Sequence, residues 1–289
     1  MNPINRRTSL KKMVATGLAA SALPFATAAH TKENTLKGNV NHSVCAWTYG
    51  HLSLAQLCDL VKSLGFAAID LVGPAEWPIL QAARVHCSMC NGAEIDLVRG
   101  FNDPQYHEQL IKNYTEIIPL VAKAGYQNLI CFSGNRNGMD EATGLKNSVK
   151  GLQKLLPLAE KHGVILQMEL FNSKVNHPDY MADSSAWGIE LCKMLGSENF
   201  KLLYDIYHMQ IQEGDLIRTI QENHQYFGHY HTAGNPGRNE IDESQEIYYP
   251  AVVKAIVDTG YQGYIAQEFI PTGTDKVAAL KKAIQICDI

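Results

Sequence analysis

Five times along this chain a segment of helical period stops at a glycine and a short apolar run follows, at Gly65, Gly125, Gly163, Gly196 and Gly260. Glycine takes the left-handed conformation that closes a helix, so this rhythm is what a series of helix-to-strand turns requires. The apolar runs are Val44–Thr48, Ala67–Val72, Arg84–Met89, Asn128–Phe132, Val164–Leu170, Lys201–Ile206, Tyr226–Thr232 and Tyr264–Phe269. Several are apolar almost throughout. Continuous apolar strands are buried on both faces, the signature of a parallel sheet covered by helices. Helical patterns lie between them: one capped by Ser53, then Pro104–Ala124, Glu141–His162, Asp183–Leu195, Gly214–Asn223, Glu246–Thr259 and Thr274–Cys287. Eight strands alternating with about eight helices predict an α/β protein, a single (β/α)8 barrel. An open doubly wound sheet is the alternative. Its nucleotide-binding form is excluded, because no G-x-G-x-x-G follows the first run.

The 289 residues begin with Asn5-Arg6-Arg7-Thr8-Ser9-Leu10-Lys11-Lys12, an apolar stretch from Met13 to Phe25, and Ala26-Thr27-Ala28-Ala29. A basic start, a short apolar core and an A-x-A site describe a secretory signal peptide over residues 1–28. The paired arginines resemble a twin-arginine signal, which implies export to the periplasm. The apolar run is too short for a membrane span. Residues 29–42 then read as a linker and residues 43–289 as the barrel. Hydrophobic residues make up 46% of the chain, enough for a large core, and the net charge of -4 argues against a nucleic-acid partner. The seven cysteines are scattered through apolar segments, and Cys87-x-x-Cys90 has no second pair to complete a zinc site, so both are read as buried thiols.

In such a barrel the site forms at the C-terminal ends of the strands. The last four apolar runs each carry an ionisable residue there: Glu169, Asp205, His231 and Glu268. Four on successive strands converge on one side of the barrel mouth. Carboxylates brought together repel one another and lose solvation, and a divalent cation relieves both costs. Three oxygens and one imidazole nitrogen suit Mn²⁺, Mg²⁺ or Co²⁺, with Zn²⁺ also compatible. A salt-bridge network without metal would want Arg or Lys at the same strand ends, and these four ends hold none.

These residues resemble a known group. Glu169-Leu170-Phe171-Asn172, Tyr204-Asp205-Ile206-Tyr207-His208-Met209-Gln210, His229-Tyr230-His231 with Asn235-Pro236-Gly237-Arg238-Asn239-Glu240, and Gln267-Glu268-Phe269 are similar to motifs of hydroxypyruvate isomerase-like proteins in the xylose-isomerase-like barrel superfamily, which includes ketose 3-epimerases. The resemblance runs over nearly all of the mature chain. It implies that Glu169, Asp205, His231 and Glu268 bind one divalent metal, and that Glu169 and Glu268 double as acid and base. The third position is often Gln in hydroxypyruvate isomerases and His in sugar epimerases, so His231 departs from the first pattern toward the second.

The implied activity is isomerisation or epimerisation of a small sugar, keto-sugar or hydroxy-keto acid by proton transfer through a cis-enediolate. By the same resemblance His208 and Arg238 contact substrate oxygens, Arg238 with its guanidinium fork. His86 on strand three and Trp47 at the end of strand one are candidate pocket residues, each against a plain core role. The expected partner is a small sugar-like molecule, with no nucleic acid and no membrane span after signal removal. Related barrels pair or form tetramers, which by analogy makes a homo-oligomer compatible. A metal-dependent sugar lyase or dehydratase and a non-catalytic sugar-binding barrel are the alternatives. A phosphodiesterase on this fold would need more ligands on the early strands, which offer chiefly Asp70 and His86.

Overall fold

The computed structural model describes residues 36–289. The signal peptide and most of the linker read from the sequence lie outside the described residues. Eight strands form one sheet: β1 (Asn41–Val44), β2 (Ala68–Val72), β3 (His86–Cys90), β4 (Asn128–Cys131), β5 (Ile165–Glu169), β6 (Phe200–Asp205), β7 (Phe227–Thr232) and β8 (Tyr264–Gln267). All seven ladders are parallel and run in the order β1-β8-β7-β6-β5-β4-β3-β2. A single parallel bridge between Cys45 and Asp70 joins β1 to β2 and nearly closes the barrel. No helix among the described residues is long and apolar enough to cross a membrane.

Ten helices cover the sheet: α1 (Leu54–Ser63), α2 (Trp77–Ala83), α3 (His107–Lys123), α4 (Glu141–Leu152), α5 (Leu156–His162), α6 (Ser185–Leu195), α7 (Ile206–Gln212), α8 (Leu216–Asn223), α9 (Tyr249–Asp258) and α10 (Lys276–Cys287). Local chemistry sets their ends. Ser53 and Gln56 form a reciprocal capping box at α1. Gly163 and Gly196 close α5 and α6 in the left-handed conformation. The strands are buried on both faces, and residues such as Leu166, Met168, Leu202, Tyr230 and Ile265 fill the core.

Three of the differences from the sequence reading have a plain local cause. The first strand ends at Val44, not Thr48, because Ala46–Tyr49 turns into a 3-10 helix. There the Thr48 hydroxyl donates to the Cys45 carbonyl at 2.9 Å, a local bond that competes with strand pairing. The single helix expected over Glu141–His162 is two, because Pro157 opens α5 and cannot continue the hydrogen bonding of α4. The residues after β6 form α7, where the sequence reading gave no helical pattern, because Asp205 caps it: its Oδ1 accepts the backbone N–H of His208 at 3.0 Å.

Candidate active site

Strand register assembles the site. β6 and β7 pair Asp205 with His231, and Glu169 pairs with Leu203 on the other edge of β6. Glu268 follows β8 and is held by its own N–H, which donates to the Thr232 carbonyl at 2.8 Å. The four side chains therefore meet at one side of the mouth, all buried. Their ligand atoms lie within 4.8 Å of one another. Nδ1 of His231 stands 3.1 Å from Glu169 Oε1 and 2.9 Å from Glu268 Oε2.

The charges are strongly coupled. Burial, then the charge of Glu268, pushes the Glu169 carboxyl up to about 6. The same two causes push Asp205 up to about 8. Burial works against ionised Glu268 too, but Arg238 and His231 outweigh it and hold that carboxyl well below its usual range. His231 is buried, which opposes its charge, yet the surrounding acids raise it well above the ordinary imidazole value. This is a cage that demands positive charge.

The residues fit a divalent cation. Asp205 spends Oδ1 on the cap of α7, and its buried Oδ2 makes no hydrogen bond. An unpartnered carboxylate oxygen beside two more carboxylates and an imidazole nitrogen is a donor set that a hard or borderline divalent ion completes. Glu169, Asp205, His231 and Glu268 would hold it.

Around this cage the expected residues divide. Trp47, just past β1, reaches it: its indole N–H donates to Glu268 Oε1 at 2.9 Å. Arg238 also arrives, from the loop after β7. Its Nη2 lies 2.5 Å from Glu268 Oε2 and 3.7 Å from Asp205 Oδ2. This corrects the sequence argument that no cation stands near these strand ends, since a loop carries one in. Arg238 does not pair with its sequence neighbour Glu240, which binds the loop at Thr272 and Gly273 instead. The guanidinium sits over the rings of Trp47 and Tyr207 at 5.3 and 5.9 Å, and the Arg238 carbonyl is tied to the Ile270 N–H at 2.7 Å.

His208 is buried on α7. Its Nδ1 accepts from the Asn172 amide at 2.6 Å, and its Nε2 is unpartnered, 3.8 Å from Asp205 Oδ2. Burial and then Arg238 lower its pKa well below the ordinary value, so it is neutral with a free Nε2–H. Asn172 is itself fixed, because its Oδ1 accepts the backbone N–H groups of Val175 and Asn176.

His86 is not at the site. It is the first residue of β3, in register with Ala68, the first of β2, and so lies at the opposite end of the barrel. There it stacks on Tyr264 at 5.4 Å. The strand begins two residues later than the apolar run implied, which moves His86 from mid-strand to its base. The cysteines are free and buried, Cys87 and Cys90 included.

His177 escaped the sequence reading, and Asp70 entered it only as one of too few ligands for a phosphodiesterase. His177, on the β5–α6 loop, stacks on Phe171 at 4.2 Å and meets His208 at 5.2 Å. Asp70, at the middle of β2, accepts from His231 Nε2 at 2.7 Å. Its signal was a lone carboxylate inside the otherwise apolar run Ala68–Val72.

Comparison with known proteins bears on the family and the fold. The model of the family described as Xylose isomerase-like TIM barrel matches residues 58–287. The chain belongs to that family. Among curated relatives it is similar to a putative hydroxypyruvate isomerase of Xenopus laevis, 30% identical over 143 residues, which is 48% of this chain and 52% of the relative. It is similar also to a 2-oxo-tetronate isomerase of Cupriavidus necator, 34% identical over 113 residues, 39% of this chain and 43% of the relative. The chain thus spans about half, or less, of the length of the curated relatives it matches. Of solved structures, an AP endonuclease, family 2, from Brucella melitensis superposes with a TM-score of 0.74 at 19% identity, covering 83% of this chain and 97% of that one. A 3-keto-D-glucoside 4-epimerase from E. coli gives 0.71 at 17% identity, covering 85% and 98%. At these identities the two superpositions speak for the fold alone.

Proposed function

We propose that this family member is a divalent-metal-dependent isomerase or epimerase of a small sugar, keto-sugar or hydroxy-keto acid, working by proton transfer through a cis-enediolate. The observation that carries the reading is the buried tetrad Glu169, Asp205, His231 and Glu268, whose ligand atoms lie within 4.8 Å of one another. The isomerase names of the curated relatives support the same class.

A bound divalent ion would polarise the substrate carbonyl and acidify the neighbouring C–H. Glu169 and Glu268 stand on opposite sides of His231 in the strand order, on β5 and just past β8, and both reach its Nδ1 within 3.1 Å. One takes the proton from carbon and the other returns it. Return to the neighbouring carbon gives the isomer, and return to the opposite face gives the epimer. His208, held by Asn172, offers its Nε2–H to a substrate oxygen. Arg238, between Trp47 and Tyr207, binds a second oxygen or a carboxylate at the mouth. Phe171 and His177 stack beside His208 on that side.

The test is bound-metal analysis with incubation in D₂O alongside a panel of ketoses, aldoses and hydroxypyruvate, following deuterium at the carbon next to the carbonyl by NMR. Metal-dependent exchange on one substrate class is expected, reduced at least ~10²-fold in Glu169→Gln and in Glu268→Gln. Stoichiometric metal with no exchange on any substrate would sink proton transfer and favour a lyase or a binding protein.

The proposal extends to location. Export by the twin-arginine-type signal of residues 1–28 would give the barrel access to sugars outside the cytoplasm. Fractionation of cells expressing the full chain, with and without Arg6→Lys and Arg7→Lys, tests it. Recovery from the cytoplasm alone would remove this part.

A further inference from the structure

Behind His231, away from the carboxylate cage, lies a second buried polar group centred on Asp70. Asp70 is fully buried in the barrel interior. Its Oδ2 accepts from Nε2 of His231 at 2.7 Å and faces Nε2 of His229 at 3.1 Å, and its Oδ1 accepts from the Ser88 hydroxyl at 2.6 Å. Ser88 is in turn 2.5 Å from the hydroxyl of Ser43. Cys45 stands 3.7 Å from the same Oδ2. Four strands therefore contribute to the surroundings of one carboxylate: β1, β2, β3 and β7.

The backbone is bent to aim it. Pairing between β2 and β3 shifts register on both sides of Asp70, and Leu71 sits in the left-handed region at φ 58°. A non-glycine residue is strained there, and such an irregularity re-aims the side chain beside it. The bridge that nearly closes the barrel, Cys45 to Asp70, falls at the same residue.

We propose that Asp70 is a positioning residue that acts through His231: it holds the Nε2–H of that ring and so leaves the Nδ1 lone pair to face the tetrad. A carboxylate only accepts, so the hydrogen of the 2.7 Å contact belongs to His231 Nε2. The opposite nitrogen, Nδ1, is the one 3.1 and 2.9 Å from the two glutamates, and it is the atom that would ligate a cation. An imidazole fixed this way by a carboxylate is oriented and made more basic toward metal. Ser88 and Ser43 then have a role as supports that keep Asp70 from turning away. This inference rests on the metal-site reading above.

The experiment is Mn²⁺ titration followed by electron paramagnetic resonance on the wild-type protein, Asp70→Asn, Ser88→Ala and His231→Ala, with ¹⁵N-histidine NMR of the Mg²⁺-loaded proteins to read which His231 nitrogen carries hydrogen. Asp70→Asn presents an amide that can donate to Nε2 and so move the hydrogen to Nδ1. Expected are Mn²⁺ affinity weakened about 10- to 100-fold and a changed His231 tautomer. Ser88→Ala, which keeps the carboxylate, is expected to weaken Mn²⁺ about fivefold, the worth of one hydrogen bond. It carries the test if Asp70→Asn does not fold. Wild-type affinity in a folded Asp70→Asn, or in Ser88→Ala should Asp70→Asn not fold, overturns the role of Asp70. Equal Mn²⁺ uptake by wild type and His231→Ala overturns the metal reading itself, and the Asp70 proposal with it.

Discussion

The indole nitrogen of Trp47 lies 2.9 Å from Glu268 Oε1 and donates to it across the β1–β8 pairing. The residue is 47% exposed, so it contributes little to the core. Trp47→Phe keeps a ring and removes the donor. Deuterium exchange on the responsive substrate is expected to slow about tenfold, the worth of one hydrogen bond to a charged group, while the melting temperature falls by only about 3–6 °C. An unchanged rate would mean that Glu268 is positioned without Trp47.

Arg238 supplies positive charge to the same carboxylates that would hold a metal, at 2.5 Å from Glu268 and 3.7 Å from Asp205. Removing one partner of a buried ion pair leaves uncompensated charge, at a cost of about 3–5 kcal/mol. In the presence of chelator, Arg238→Met is expected to melt roughly 5–15 °C below wild type. Excess Mn²⁺ should narrow that gap, because a cation replaces the lost charge, and should raise wild type itself by about 2.7 kcal/mol at a hundred times Kd. A gap that is the same with and without Mn²⁺ would show that the ion does not share carboxylates with Arg238.

His42, on β1, is buried with neither ring nitrogen hydrogen-bonded, and its Nε2 is 3.6 Å from Asp288. Burial lowers its pKa below 6.5, with Asp288 opposing. A histidine depressed in the folded state is protonated first in the unfolded chain, so its stabilising contribution is present above that value and is lost as pH falls. The contribution changes by at most ~1.4 kcal/mol per pH unit. His42→Phe removes the titration. Its melting temperature relative to wild type should therefore rise between pH 7.5 and pH 5, as read by calorimetry at both values. A constant difference would mean that His42 does not titrate in this range.

Much of the fold was legible because helix and strand periods report burial along the chain, and the glycines report where helices stop. The tetrad was legible for a related reason. Glu169, Asp205, His231 and Glu268 each end or follow an apolar run, and polar groups at such places in a barrel point to one face. His86 shows where this fails. An apolar run marks a strand to within a few residues, and a shift of two was enough to carry the ring from mid-strand to the base of the barrel. Helix α7 was missed because its start depends on a cap, the Oδ1 of Asp205, that had been read only as a ligand.

By itself the sequence determined the α/β alternation, the four ionisable groups at successive strand ends and the chemistry they share. Only the tertiary structure decided which distant groups reach them. Arg238 comes from a loop, Trp47 from the turn after β1, and Asp70 from β2, which is not a neighbour of β7 in the sheet. The reason is physical. Periodicity along a chain records how buried each residue is, whereas the closing of a barrel and its register fix which buried polar atoms come within 3 Å of one another.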